Sequence, residues 1–401
     1  MKKLMILGGS ILQLPAIQKA KEMNLEVIVV DMNPEAIGFK EKGIIKEVIS
    51  TIDILKVLEC AKKHKIDGIM TLASDMPIRT IARVAKEMNI VGITEETALK
   101  ATSKFAMREA LKSNSVPIPD FIKINTEAEC YDGVLKLQKK GYKCIIKPVD
   151  NSGSRGISLL SDFEKATIKR AYEYGKNFSR SGELMVEEYM EGPEVSVESI
   201  SIDNECNVIQ ITDKLTTGAP YFVEMGHSQP SILSDDIKNK IMEITKKAVK
   251  AIGIKDGPSH TEIKITKEGP KIVEIGARLG GDCITTHLVP LSTGVDMVEA
   301  CIKLSLGEKP DICKKFEKGS AIRYFETNIE KIESISGLDE ASNIEGVKQI
   351  SFIYDAGEEI REVKNSSDRI GFVIAQDFSA EKAIEKCELI KNIIKIEGRV
   401  I

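Results

Sequence analysis

The 401-residue sequence predicts an α/β protein with more than one packed core, and three observations carry that reading. Early in the chain, β-branched runs alternate with segments of helical spacing, the pattern of a parallel sheet whose strands are joined by helices. Hydrophobic residues make up 42% and charged residues 29%, enough for globular cores and unlike a disordered chain. At roughly 150 residues per domain, the length suits two or three such cores.

The elements follow in order. Lys3–Leu7 reads as a strand, Leu14–Met23 as a helix and Glu26–Asp31 as a second strand ending in an acid. Ile52–Lys63 is helical, Gly68–Leu72 a strand and Ile78–Met88 a helix. Strand, glycine turn, helix and acid-ended strand suggest a Rossmann-like nucleotide half. The turn Gly8-Gly9-Ser10, however, lacks the G-x-G-x-x-G dinucleotide pattern, so a nicotinamide dehydrogenase is disfavoured. Helix Ser103–Lys112 leads into an extended connector at Pro117 and Pro119. The chain to about Val195 is strand-rich, with a helix near Glu127–Lys140; Asp235–Ile252 and Val295–Leu306 are further helices. Beyond Gly307–Pro310, strands at Ala321–Phe325, Val347–Tyr354 and Arg369–Ala375 and a helix at Ala380–Ile393 form an α+β unit.

Composition narrows the function. Lys+Arg at 57 against Asp+Glu at 61 gives a net charge of −4, and with no Trp and 5% aromatics the chain lacks both the basic footprint and the stacking platform of a nucleic-acid binder. No apolar run approaches the ~18 residues of a membrane span, and the basic-then-apolar start runs into Gly8 and Gly9 too soon for a signal peptide. The eight cysteines are scattered without a CxxC pair or CxH spacing, which reads as buried thiols, no structural zinc and a cytoplasmic location.

Three stretches carry chemistry. In Ser259–Asp282, two β-type runs flank a turn at Gly269-Pro270. A three-residue loop Lys267–Gly269 places Glu262 opposite Glu274 and His260 opposite Gly276. Opposed carboxylates need a cation between them, and Mg²⁺ bound by carboxylates and phosphates supplies one; a solvated pair in a shifted register is the alternative. Arg278, Gly280 and Gly281 follow, the arginine suited to a transferring phosphoryl group or, more plainly, to a structural cap. In the second stretch, Lys147 ends an apolar strand before the loop Asp150–Gly156, whose glycines and serines can fold over phosphates or simply turn a hairpin. It is not a Walker A loop, since no G-K-[ST] follows. In the third, Leu184–Glu198, two strands flank Glu191-Gly192-Pro193, and Glu194 either accepts from ribose hydroxyls or belongs to an ordinary acidic surface hairpin.

Together and in this order, these stretches resemble the ATP-grasp superfamily of carboxylate–amine ligases over about residues 1–310. The closing segment from Ser367 to Cys387 resembles the C-terminal domain of L-amino acid ligases and their short carboxylase-like relatives. The resemblance implies an ATP-grasp architecture: an N-terminal Rossmann-like (pre-ATP-grasp) domain over 1–103, an ATP-grasp domain over 104–310 with its lid at about 115–190, and a C-terminal α+β domain over 311–401. It implies that Lys104 and Lys147 hold ATP phosphates under a lid of Ser152, Gly153, Ser154 and Gly156. Glu187, Glu188 and Tyr189 would line the adenine hinge, largely by backbone, with Glu194 on the ribose. Glu262 and Glu274 would ligate Mg²⁺, or Mn²⁺ in its place, and Arg278 would stabilise the phosphoryl group or the tetrahedral intermediate. Many members carry Asn two residues after the second glutamate, where this chain has Gly276, so water, a bidentate Glu274 or His260 would complete the site.

For substrates, Glu224 and His227 resemble the Glu-x-x-His pair with which L-amino acid ligases hold an amino acid, and Gly281 and Asp75 would face the same cleft. The implied activity is ATP-dependent amide or peptide bond formation through an acyl phosphate, releasing ADP and phosphate. The implied partners are small carboxylates and amines, amino acids among them, with a homodimer allowed. A bicarbonate-activating carboxylase or carbamoyl-phosphate-like enzyme, and a non-catalytic ATP-binding regulator, remain open.

Overall fold

The computed structural model describes residues 1–151 and 155–400, so Ser152, Gly153 and Ser154 of the expected lid lie outside the described residues. A four-stranded parallel sheet opens the chain, in the order Ile45–Val48, Glu26–Asp31, Lys3–Leu7, Gly68–Met70. Its strands are Val/Ile/Leu-rich and buried because helices cover both faces, Leu14–Glu22 on one side and Ile54–His64 with Ile78–Met88 on the other. The Ile45–Val48 edge strand, only half-buried, has too weak a pattern to read from sequence. Asp31 closes the first turn itself, its Oδ2 accepting from the Gly9 N–H at 2.7 Å. Gly8 takes φ +107°, where a Cβ would also lie 2.8 Å from the Gln13 side chain.

The second sheet orders its strands Phe121–Ile124, Leu184–Glu188, Cys144–Pro148, Ser158–Leu159, backed by helices Glu127–Gln138 and Lys165–Phe178. The third and largest has eight strands: Gly269–Gly276, Gly257–Thr266, Glu194–Ile202, Glu205–Thr216, Glu224–Gln229, Gly319–Tyr324, Gly371–Asp377 and Val347–Phe352. It runs without a break across residue 310, through the pairing of Gly226–Gln229 with Ser320–Arg323. Beneath its first strands lies helix Asp235–Ile252, with two acids in its first turn, a left-handed Gly253 at its end and a stripe of Ile241, Ile244, Ala248, Val249 and Ile252 packed inward. Lys331–Ser336 pairs with Lys395–Arg399 at the far end, a ribbon the sequence pattern did not reveal. Among the described residues, no helix is long and apolar enough to cross a membrane.

The hairpin carrying the two glutamates corrects one expectation and keeps its consequence. Thr266 pairs with Gly269, so the loop holds two residues rather than three. A β-bulge between Glu262 and Ile263 then adds the missing residue, and Glu262 still faces Glu274 while His260 faces Gly276.

Candidate functional site

One cleft runs between the second sheet and the eight-stranded sheet. Lys104, Lys147, Arg155, Glu187, Glu188, Tyr189, Glu194, Glu224, Glu262, Glu274 and Arg278 line it, joined by Asp75 from the N-terminal sheet. Ser103 caps helix Lys104–Ser113, its hydroxyl accepting from the Ala106 N–H, and this places Lys104 at the helix start facing the cleft. Lys104 Nζ donates to Glu274 Oε1 at 2.7 Å and to the Asn151 carbonyl at 3.0 Å, tying the hairpin to the chain that follows strand Cys144–Pro148.

Across the hairpin, Glu262 receives Lys214 Nζ at 3.1 Å. The same ammonium lies 2.6 Å from Glu194 and 3.5 Å from Glu224, with only 4% of its side chain exposed. Burial alone would drive the proton from Lys214; Glu262, Glu194 and Glu224 reverse this and hold it well above the ordinary lysine range. Glu262 stays well below the usual carboxylate range despite its own burial, because Lys214 and then His260 favour its charged form. His260 Nδ1 lies 2.5 Å from the buried Glu198, and Nε2 lies 3.6 Å from Glu262. Its burial, which disfavours charge, is outweighed by Glu198, so its pKa rises to about 9. A protonated ring is a cation beside Glu262 and has no lone pair to give a metal.

The residues expected at an adenine hinge divide. The Glu187 carboxylate, 2% exposed, turns inward: it takes Arg108 Nε at 2.6 Å and Nη2 at 3.2 Å and pairs with Lys147. Lys147 therefore enters the cleft already neutralised, with its pKa lowered by burial and by Arg108 and Lys104 against the pull of Glu187. Glu188 and Tyr189 give their N–H groups to the Asp120 and Lys143 carbonyls, so neither donor is free for a base edge. Met190, next in the chain, also lines the cleft.

Asp75 reaches in from the N-terminal sheet and accepts Arg278 Nε at 2.9 Å and Nη2 at 3.3 Å. Its Oδ1 stands 3.1 Å from where a Cβ on Gly276 would project, so Asp75 fills the space that a side chain at that position would claim. Gly280 has a comparable reason: a Cβ there would meet Glu198 at 2.6 Å and His260 at 2.7 Å. Gly156, at φ +78°, lies against Pro148 and Phe178 at the foot of the lid, and Gly281 lies against Ala73; neither lines the cleft.

Glu224 lines the cleft, whereas His227, on the same strand, is buried outside its lining. His227 is 1% exposed, with Nε2 3.6 Å from Asp282 Oδ2. Neither ring nitrogen has a hydrogen-bond partner among the described residues. Asp282 is held by Arg369 at 2.8 and 2.9 Å, and that guanidinium also donates to the Glu224 carbonyl and stacks 3.8 Å above the Tyr324 ring.

Two family models match the chain: the ATP-grasp domain over residues 140–286, and L-amino acid ligase C-terminal domain 2 over residues 330–398. The chain thus carries a segment that matches the ATP-grasp domain, followed by one that matches the C-terminal domain of L-amino acid ligases. An uncharacterized protein of Sinorhizobium fredii is 28% identical over 78% of this chain and 64% of its own length, so the match spans just under two thirds of that relative. An L-arginine-specific L-amino acid ligase of Bacillus subtilis is 25% identical over 80% of this chain and 78% of its own. Among solved structures, an L-amino acid ligase from Bacillus licheniformis superposes with a TM-score of 0.85 at 22% identity, covering 100% of this chain and 99% of that one. The likeness of fold extends through the C-terminal segment, which holds Arg369 and Tyr324.

Sequence reasoning missed Arg108, Glu198, Lys214, Lys264 and Arg369. Lys264, which donates to Glu194 at 3.1 Å, and Lys214 stand on strands of alternating character, where a lysine reads as solvated surface. Arg108 offered a better signal, since a charged residue on the otherwise apolar Met107–Leu111 face of a helix needs a buried partner.

Proposed function

We propose that this protein is an ATP-dependent carboxylate–amine ligase that joins amino-acid substrates through an acyl phosphate. The observation that carries the reading is the directly opposed pair Glu262 and Glu274, flanked by Lys104, Lys214 and Arg278 in one cleft.

Those carboxylates fit a hard divalent cation: they are oxygen donors, they face each other across the strand pair, and each meets an ammonium group that a cation could relieve. Glu262 and Glu274 would hold Mg²⁺, with Mn²⁺ as a substitute of similar oxygen preference. When bound, Mg²⁺ supplies positive charge to the triphosphate oxygens as the phosphoryl group departs. Lys104 and Lys147 would position the phosphates, Lys147 steadied by Glu187 and Arg108. Glu194 would receive the ribose while Lys264 and Lys214 hold its carboxylate in place.

In the first step an oxygen of the substrate carboxylate attacks the γ-phosphorus, the bond to the β–γ bridging oxygen breaks, and ADP leaves. Arg278, oriented by Asp75, would bind the charge that develops on the transferring group. In the second step the amine attacks the acyl carbon and phosphate departs, a far better leaving group than oxide. Glu224 would accept hydrogen bonds from the ammonium of an amino acid, and His227, with both ring nitrogens open among the described residues, would orient the amine or take its proton.

Incubating the protein with MgATP and pooled amino acids, and following ADP and condensed products by mass spectrometry, tests the reading. Amino-acid-dependent ADP with a product heavier by one condensation supports it. ADP released only with bicarbonate, or not at all, refutes it.

A further inference from the structure

A second cluster of ligating side chains lies in the N-terminal domain, and none of its members lines the cleft. Cys60 and His64 are one turn apart on helix Ile54–His64, and Glu47 stands opposite them on the half-buried face of the edge strand Ile45–Val48. One ligand atom from each lies within 4.8 Å of the others, and His64 Nε2 is 2.6 Å from Glu47 Oε1. All three are sheltered: Cys60 is 5% exposed, and the side chains of His64 and Glu47 are 13% and 19% exposed.

We infer that Glu47, Cys60 and His64 form a binding site for a divalent transition metal of the zinc–cobalt class. One sulfur, one imidazole nitrogen and one carboxylate oxygen make a borderline-soft set that suits such a metal and not Mg²⁺. Three protein ligands leave a fourth tetrahedral position for water. The charges balance: carboxylate, thiolate and neutral imidazole with a dication sum to zero, so binding buries no net charge. Lys63, whose ammonium now lies 2.8 Å from Glu47 and whose side chain is 67% exposed, can swing into solvent when the metal takes over that carboxylate. On binding, the Cys60 S–H bond breaks, the sulfur bonds the metal and the proton passes to water. Burial pushes the free thiol up to about 11, with Glu47 adding to it, so without metal it stays protonated. The site would fasten the weakly patterned edge strand to the helix behind it. A cysteine–histidine spacing test misses it because the third ligand comes from a strand earlier in the chain.

Titration of the full chain with Co²⁺ in excess Mg²⁺ tests the assignment, because only a thiolate ligand gives the near-ultraviolet sulfur-to-cobalt charge-transfer band. The expected result is that band at one equivalent, displaced by Zn²⁺, retained in Cys313→Ser and lost in Cys60→Ser. Should Cys60→Ser not fold, His64→Gln decides, with Zn²⁺ binding weakened more than about tenfold. A folded wild-type protein with no band, a band that survives Cys60→Ser, or undiminished Zn²⁺ affinity in His64→Gln overturns the inference.

Discussion

The cleft and the buried cluster of His227, Asp282 and Arg369 beside it are built on opposite plans. In the cleft, Glu194, Glu224 and Glu262 converge on Lys214 while Glu274 meets Lys104, so acids from four strands share two buried cations. In the cluster a single bidentate pair, Asp282 with Arg369, carries the charge, and His227 beside it is left without a hydrogen bond among the described residues. A network in which one cation serves three anions is preorganised for a highly charged ligand and tolerates its arrival. A closed pair beside an open imidazole is selective, suited to reading one small polar group.

The comparison can be broken by substitution, most severely at the reacting centre. Arg278→Ala is expected to reduce kcat for ADP release by at least about 10²–10³-fold while MgATP still protects against thermal unfolding. Unchanged turnover would instead favour an ATP-binding regulator. Lys214→Met comes next: three carboxylates lose their common cation, and with the lysine almost fully buried the loss of stability should reach ~3–5 kcal/mol, read from the urea midpoint. Little change there would mean that the acids are separately solvated and the network is not a unit.

In the cluster, Asp282→Asn should cost less, ~2–4 kcal/mol, because Asp282 is a quarter exposed. Its pH signature is distinct. Burial would raise the Asp282 pKa, but Arg369 and His227 hold it below the ordinary 3.8, so the folded state favours the charged form. That stabilisation is complete above about pH 4 and lost as the pH falls through the lower folded value, so wild-type and Asp282→Asn stability curves should converge in acid. Substrate choice should shift in this variant while ATP affinity holds; an ATP KM altered more than the amino-acid KM would contradict the division of labour. The smallest effect is expected for Gly276→Ala, whose Cβ would meet Asp75 Oδ1 at 3.1 Å and displace Arg278 slightly. A less than tenfold loss in kcat/KM fits that geometry, and a complete loss would assign the glycine a larger role.

Legibility follows the same division. The hairpin announced itself because its residues are close in sequence: a strand–turn–strand fixes who faces whom, and the Glu262–Glu274 register came out even though a two-residue loop and a bulge replaced the assumed three-residue loop. The first sheet was readable wherever strands were fully buried, and unreadable at Ile45–Val48, whose exposed edge dilutes the pattern. Lys214 could not be found from its own surroundings, since its meaning comes from three other strands. Asp282 and Arg369, 87 residues apart, meet only because the large sheet continues into the C-terminal segment, and no local periodicity encodes that.

The central claim is that ATP activates a carboxylate in this cleft. With the carboxylate of the accepted substrate labelled by ¹⁸O, one labelled oxygen should appear in the released phosphate for each amide bond formed. Amide formed with unlabelled phosphate, the lost carboxylate oxygen appearing in water or on AMP instead, would contradict the account.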